Sequence, residues 1–213
     1  MNKPFPSLMR PLAKAILCTA LLGSLQGCVG LVVGGAVASA AAVADRRTLG
    51  AQADDKAIAL KADSRIKDMG LKDVHVNVNS FNRKVLLTGE ITDQATKSAV
   101  EKEVRAIDGV MSVTNELEVA GPASYTSRTN DTLITTKVKA SLVDMKTISA
   151  TSFKVITERG VVYLMGRVTE REGQVAGDVA RSVSGVAKVV KVLEYITEDE
   201  MRALSPIKPA VQL

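Results

Sequence analysis

The chain has 213 residues, with 28 Lys and Arg against 23 Asp and Glu and a formal net charge of +5. Aromatics make up 3% and Trp is absent, so a core must be built from Val, Ile, Leu and Ala rather than from large anchors. A mixed, mildly basic balance argues against a dedicated nucleic-acid binder, and no nucleic-acid partner is expected.

Residues 1–27 read as a lipoprotein signal peptide. Lys3, Arg10 and Lys14 form a basic start, and residues 15–25 form an apolar run of the length such signals use. The run ends in Leu25-Gln26-Gly27-Cys28, which resembles a bacterial lipobox. Cys28 is the expected lipid attachment site and the new N-terminus. Two or more acyl chains, each giving about 0.8 kcal/mol per buried CH₂, anchor a protein stably. Cys18 lies in the removed segment, so no thiol is left for a disulfide, a metal cluster or a nucleophile. Losing the three basic residues brings the net charge from +5 to +2. Asp after the lipidated Cys retains lipoproteins of the enteric type in the inner membrane. Val29 stands there, so the same resemblance points to the outer membrane.

Residues 28–53 are expected to be a lipidated tether. Its Gly/Ala/Val run over 29–44 is short of the roughly 20 residues that a spanning helix needs. A flexible tether is the first reading and a helix of small residues the second.

The first domain is predicted over 54–119. Asp54 or Asp55 can cap a helix with Ile58, Ala62 and Ile66 on one face, and Met69-Gly70 stops it. Val74, Val76 and Val78 alternate with polar residues as a strand. The segment 79–83 turns the chain, with Asn82 able to take a positive φ. A second strand follows over 85–88, then Gly89. A helix carries Val100, Val104 and Ile107, Gly109 ends it, and 110–119 form the last strand. Residues 120–130, with Gly121-Pro122, read as a linker.

The second domain, over 131–196, repeats this order. Asp131 is read as a cap, and Ile134, Val138 and Leu142 point inward. Phe153 and Val155 belong to a strand, and Glu158-Arg159-Gly160 to a turn. Val161 to Met165 form the next strand, then Gly166. Thr169 and Glu172 have capping-box spacing for a helix bearing Val175, Ala176, Val179, Ala180 and Val183. Gly185 ends it before a final strand over 186–195. Gly89 and Gly166, 77 residues apart, mark the repeat and read as sites of close backbone approach. Thr169 repeats the place of Thr92 as a helix cap. Residues 197–213 are read as a mobile tail.

The fold class is therefore α+β, with two tandem αββαβ units. In each, strands one and two form a hairpin, and strand three joins strand two in parallel through a helical crossover. The result is a mixed three-stranded sheet packed on two helices. Units of roughly 65 residues sit near the lower limit for an independent core, so packing between copies or oligomerisation is expected.

A Val-rich strand, Gly, helix, then Gly-Val and a last strand resembles the BON domain. Two such units behind a lipobox resemble the dual-BON-domain outer-membrane lipoproteins, a division- and outer-membrane-stress-associated lipid-binding family. The most specific stretches are residues 47–52, 130–138, 164–172 and 183–186. The resemblance implies binding of anionic phospholipid, such as phosphatidylglycerol or cardiolipin, through the first helix of the second domain. It also implies a role in outer-membrane integrity, enrichment at the division site, and a place on the periplasmic face of the outer membrane. Leu133 stands where an interfacial aromatic is expected in this family.

The residues themselves point the same way. Residues 54–119 hold ten Lys/Arg and twelve Asp/Glu, a net of −2, whereas 131–196 hold ten and seven, a net of +3. With the core face of the second domain's first helix used up, Leu133, Thr136, Lys137 and Ala140 share another face. Together with Lys139 they are the candidate phospholipid-binding residues, combining apolar insertion with basic attraction. The alternative is a protein-interaction adaptor for outer-membrane assembly or cell-wall machinery. No catalytic set, cofactor loop or metal cluster is expected. His75, the one histidine, reads as a solvent-facing strand residue.

Overall fold

The computed structural model describes residues 45–204. Cys28, the signal peptide, most of the tether and the last nine residues lie outside the described residues. Each copy opens with a 20-residue helix, α1 (Leu49–Asp68) and α3 (Tyr125–Asp144). In the first copy α1 leads to β1 (His75–Phe81), β2 (Lys84–Ile91), α2 (Gln94–Arg105), β3 (Ser112–Asn115) and β4 (Glu118–Val119). In the second, α3 leads through a short 3₁₀ turn to β5 (Phe153–Glu158), β6 (Val161–Val168), α4 (Glu170–Ser182) and β7 (Lys188–Tyr195). A short helix, α5 (Glu198–Leu204), follows.

Both hairpins are antiparallel, and β2 and β6 pair in parallel with the strands that follow their helices. The α+β reading and the mixed sheets hold. Ile58, Ala62 and Ile66 pack with Val100, Val104 and Ile107 under one sheet, and Ile134, Val138 and Leu142 pack with Ala176 and Ala180 under the other. The capping box of Thr169 and Glu172 forms in both directions. A Cβ at Gly89 would run into the His75 carbonyl, and one at Gly166 into the Ser152 carbonyl, so both glycines admit a close backbone approach.

The helix starts differ from the sequence reading. Thr48 caps α1 by accepting from the Ala51 amide, and Ser124 caps α3 by accepting from the Ser127 amide. Residues 49–53 are therefore the first turns of α1 rather than tether, and 125–130 are the first turns of α3 rather than linker. Asp55 and Asp131 are not caps. Both are buried inside their helices and close the hairpin turns instead. Asp55 accepts from Ser80 Oγ at 2.6 Å and from the Asn82 and Arg83 amides at 2.7 and 2.8 Å. Asp131 accepts from the Arg159 and Gly160 amides at 2.9 and 2.8 Å. The cause is the turn itself. Asn82 and Arg83, like Arg159 and Gly160, are consecutive residues with positive φ, and their inward amides need an acceptor.

Three smaller differences follow from local hydrogen bonding. Asp93, not Thr92, caps α2, accepting from the Thr96 amide. The first domain's last strand breaks into β3 and β4, because the Asn115 side chain takes the Leu117 amide and donates to the Lys97 carbonyl. The start of the segment read as a tail is helical in α5, whose first turn carries Glu198, Asp199 and Glu200, charges that favour a helix N-terminus.

The two sheets turn their helix-free faces toward each other. Phe81 and Leu86 of one copy form a buried cluster with Tyr163 and Met165 of the other, flanked by Ile156, Val190 and Val192. Each buried side chain of this size contributes about 1.5–3 kcal/mol. Asn77 donates to Glu158 at 2.8 Å and Asn82 to Glu194 at 2.7 Å across the seam. The residues just before α1 fasten both copies. Arg46 makes a two-pronged pair with Glu172, both contacts at 2.7 Å, and also donates to the Arg167 carbonyl. Arg47 pairs with Asp55 at 2.7 Å and lies 3.9 Å over the Phe81 ring.

Candidate functional site

Helix α3 carries the candidate surface. Its buried residues are Asp131, Ile134, Val138 and Leu142, which fix its rotation on β5. The opposite side is therefore open. Leu133 is 55% exposed, and Lys137 and Ala140 beside it are exposed. Neither Lys137 nor Lys139 forms a salt bridge among the described residues, so both charges remain available to an external anion.

The structure divides the predicted set. Leu133, Lys137 and Ala140 face open solvent. Thr136 and Lys139 line a cavity of about 420 Å³ that α3 shares with Asn77 of β1 and Glu158 of β5. The Thr136 hydroxyl donates to the Thr132 carbonyl at 2.9 Å, so its donor is satisfied within the helix.

Two residues extend the site beyond the sequence reading. Tyr125, 88% exposed, and Val143, 69% exposed, lie at the two ends of the same outer side. Eighteen residues at 1.5 Å each place them about 27 Å apart along the axis. The signal for Tyr125 is Ser124 as a cap, which brings Tyr125, Thr129 and Leu133 into i, i+4, i+8 spacing. Val143 escapes a reading that ends the apolar face at Leu142.

The matching helix of the first copy is different. Buried Asp55 and Asp131 set the alignment, which puts Ala57 at the Leu133 position and Leu60 at the Thr136 position. Leu60 is exposed, but Asp54 and Asp63 offset the charges of Lys56 and Lys61 around it, so this surface has no net positive charge. Burial pushes the Asp63 carboxyl above its ordinary value.

His75 is not simply solvent-facing. Its Nδ1 lies 3.3 Å from a carboxylate oxygen of fully buried Glu90, directly across the β1–β2 ladder. Burial pushes the Glu158 carboxyl up, and the Glu90 charge adds to the effect. No helix among the described residues is long and apolar enough to cross a membrane.

Comparison with known proteins agrees with this architecture. The BON domain family model matches residues 54–121 and again 130–197. The outer membrane lipoprotein DolP of Haemophilus influenzae is 36% identical over 190 residues, covering 88% of this chain and 98% of that protein. The 21 kDa hemolysin of Actinobacillus pleuropneumoniae is 33% identical, covering 71% and 79% of the two chains. Osmotically-inducible protein Y of Escherichia coli is 31% identical, covering 64% and 70%. With both domains matched and a relative aligned over nearly its whole length, the chain belongs to the BON-domain family and carries two tandem copies of the domain.

Proposed function

We propose that this protein is a binding module of the outer membrane, held on its periplasmic face by a lipid on Cys28, which docks α3 on anionic phospholipid. Phosphatidylglycerol and cardiolipin are the expected lipids, and the role is non-catalytic support of outer-membrane integrity at the division site. The likeness to DolP, an outer membrane lipoprotein, supports the location.

One observation carries the lipid reading. Leu133 stands exposed on a 20-residue helix, between Tyr125 and Val143 and beside two lysines without ion-pair partners among the described residues. A helix of this kind lies in the interface plane, its apolar side about 5–10 Å deep, while its basic residues meet the headgroups. Each lysine near an anionic surface contributes about 1 kcal/mol. A lipid at Cys28 would keep the domain close to the bilayer, so a weak intrinsic affinity suffices.

Vesicle flotation of a secreted form without the Cys28 lipid tests the reading. The protein should float with vesicles holding about 30% phosphatidylglycerol and stay behind with neutral vesicles. Leu133→Glu should cut the bound fraction about tenfold, because an inserted Leu becomes a buried charge. Leu60→Glu on α1 should leave it unchanged. Equal binding to neutral vesicles, or an unaffected Leu133→Glu, contradicts the proposal. Crosslinking from position 133 in cells distinguishes the adaptor reading, which requires a dominant protein adduct there.

A further inference from the structure

Away from the outer side of α3, three side chains with metal-ligating atoms meet at the seam between the copies. They are His75 on β1, Glu90 on β2 and Glu158 on β5. One ligand atom from each lies within 4.8 Å of the others. His75 Nδ1 and Glu90 Oε2 are 3.3 Å apart. Two ligands on one tetrahedral zinc-sized ion, at about 2.0 Å from the metal, sit about 3.3 Å from each other.

The polar atoms here lack the partners that buried groups normally have. Glu90 is 0% exposed, yet neither of its carboxylate oxygens receives a hydrogen bond among the described residues. His75 Nδ1, also buried, has none either. The nearest guanidinium, Arg159, stands 3.7 Å from Glu90 Oε1 and is drawn away to Glu118, which it meets at 3.2 Å. Glu158 is oriented rather than free, since Asn77 donates to its Oε2 at 2.8 Å. Such a contact to a carboxylate is what holds a metal ligand in place.

Access is also present. His75 and Glu158 both line the 420 Å³ cavity that opens beside α3. A cation can enter from there, and a water can fill a fourth position facing the cavity. One imidazole with two carboxylates suits zinc and its neighbours better than magnesium or calcium, which prefer all-oxygen sites.

We propose that His75, Glu90 and Glu158 form a binding site for a single divalent transition ion of the zinc class, tying the first BON domain to the second. Two ligands come from one copy and one from the other, so the ion would stabilise the seam rather than either domain alone.

The test uses the mature lipidated chain in detergent micelles, purified without a histidine tag and stripped with a chelator. The chain contains one histidine, so its imidazole resonances report on the site without ambiguity. Titration with Zn²⁺ should shift these resonances until one equivalent is bound, with Nδ1 as the ligating nitrogen, and should raise Tm by several degrees. Glu90→Gln and Glu158→Gln should each weaken binding about tenfold or more. Co²⁺ should give the visible absorption of a four-coordinate nitrogen–oxygen site. An imidazole signal unmoved by a severalfold excess of Zn²⁺ overturns the proposal in the unmodified protein, whatever the variants do. So does a shift that both carboxylate variants leave unchanged.

Discussion

Asp55→Ala should destabilise the protein by about 3–5 kcal/mol. The carboxylate accepts from Ser80, Asn82, Arg83 and Arg47, and truncation leaves the Ser80 hydroxyl and the two turn amides without this acceptor, while Arg47 keeps its pair with Asp45. Asp131→Ala removes only the two turn amides and should cost less, about 2–3 kcal/mol. Urea unfolding of both variants checks the order, and an equal or greater loss for Asp131→Ala would contradict it.

Acid should report on the same contact. Burial by itself would raise the Asp55 carboxyl, but hydrogen bonds from Ser80, the Arg83 and Asn82 amides and Arg47 hold it below the ordinary value. Stability from a depressed carboxyl is fully present above the unfolded value of about 3.9 and fades as pH falls through the folded value. Asp55→Ala should therefore flatten the stability profile below about pH 4.

Arg46→Ala should have the next largest effect, about 3 kcal/mol. Glu172 keeps its contact with the Thr169 amide but loses both prongs of its pair while remaining buried. Adding Glu172→Gln should recover part of the loss, because the uncompensated charge is then gone. A result within about 0.5 kcal/mol of the parent for Arg46→Ala alone would show that the staple is idle.

These two contacts also mark the limit of what the sequence displays. The apolar spacings of α1 and α3, the capping box and the two close-approach glycines are legible because each is a local pattern. Asp55 and Asp131 mislead because an aspartate before an apolar helical face resembles a cap wherever it stands. Their true partners lie 25–29 residues on, in a turn. Arg46 and Glu172 are 126 residues apart, so nothing local links them.

The sheet-to-sheet seam is hidden for another reason. Leu86, Thr88 and Glu90 alternate with core residues on β2, and that mixture of polar and apolar reads as a solvent face. All three are fully buried. The same pattern places His75 in solvent on paper, whereas it lies beside Glu90 in the fold. On α3, Leu133, Lys137 and Ala140 emerge by elimination, since the core face is easy to assign. Tyr125 and Val143 depend on the helix ends, which apolar periodicity does not fix.

Depth in the bilayer separates α3 from α1 as the membrane-facing helix. Native cysteines number two, Cys18 and Cys28, so a secreted form without both accepts a single nitroxide at a chosen position. Labels at 133, 143 and 60, measured for depth on phosphatidylglycerol-rich bilayers, give the most direct test. Labels at 133 and 143 should lie about 5–10 Å below the headgroups while the label at 60 stays in water. A label at 133 that remains in water, or one at 60 that enters the bilayer, would contradict docking through α3.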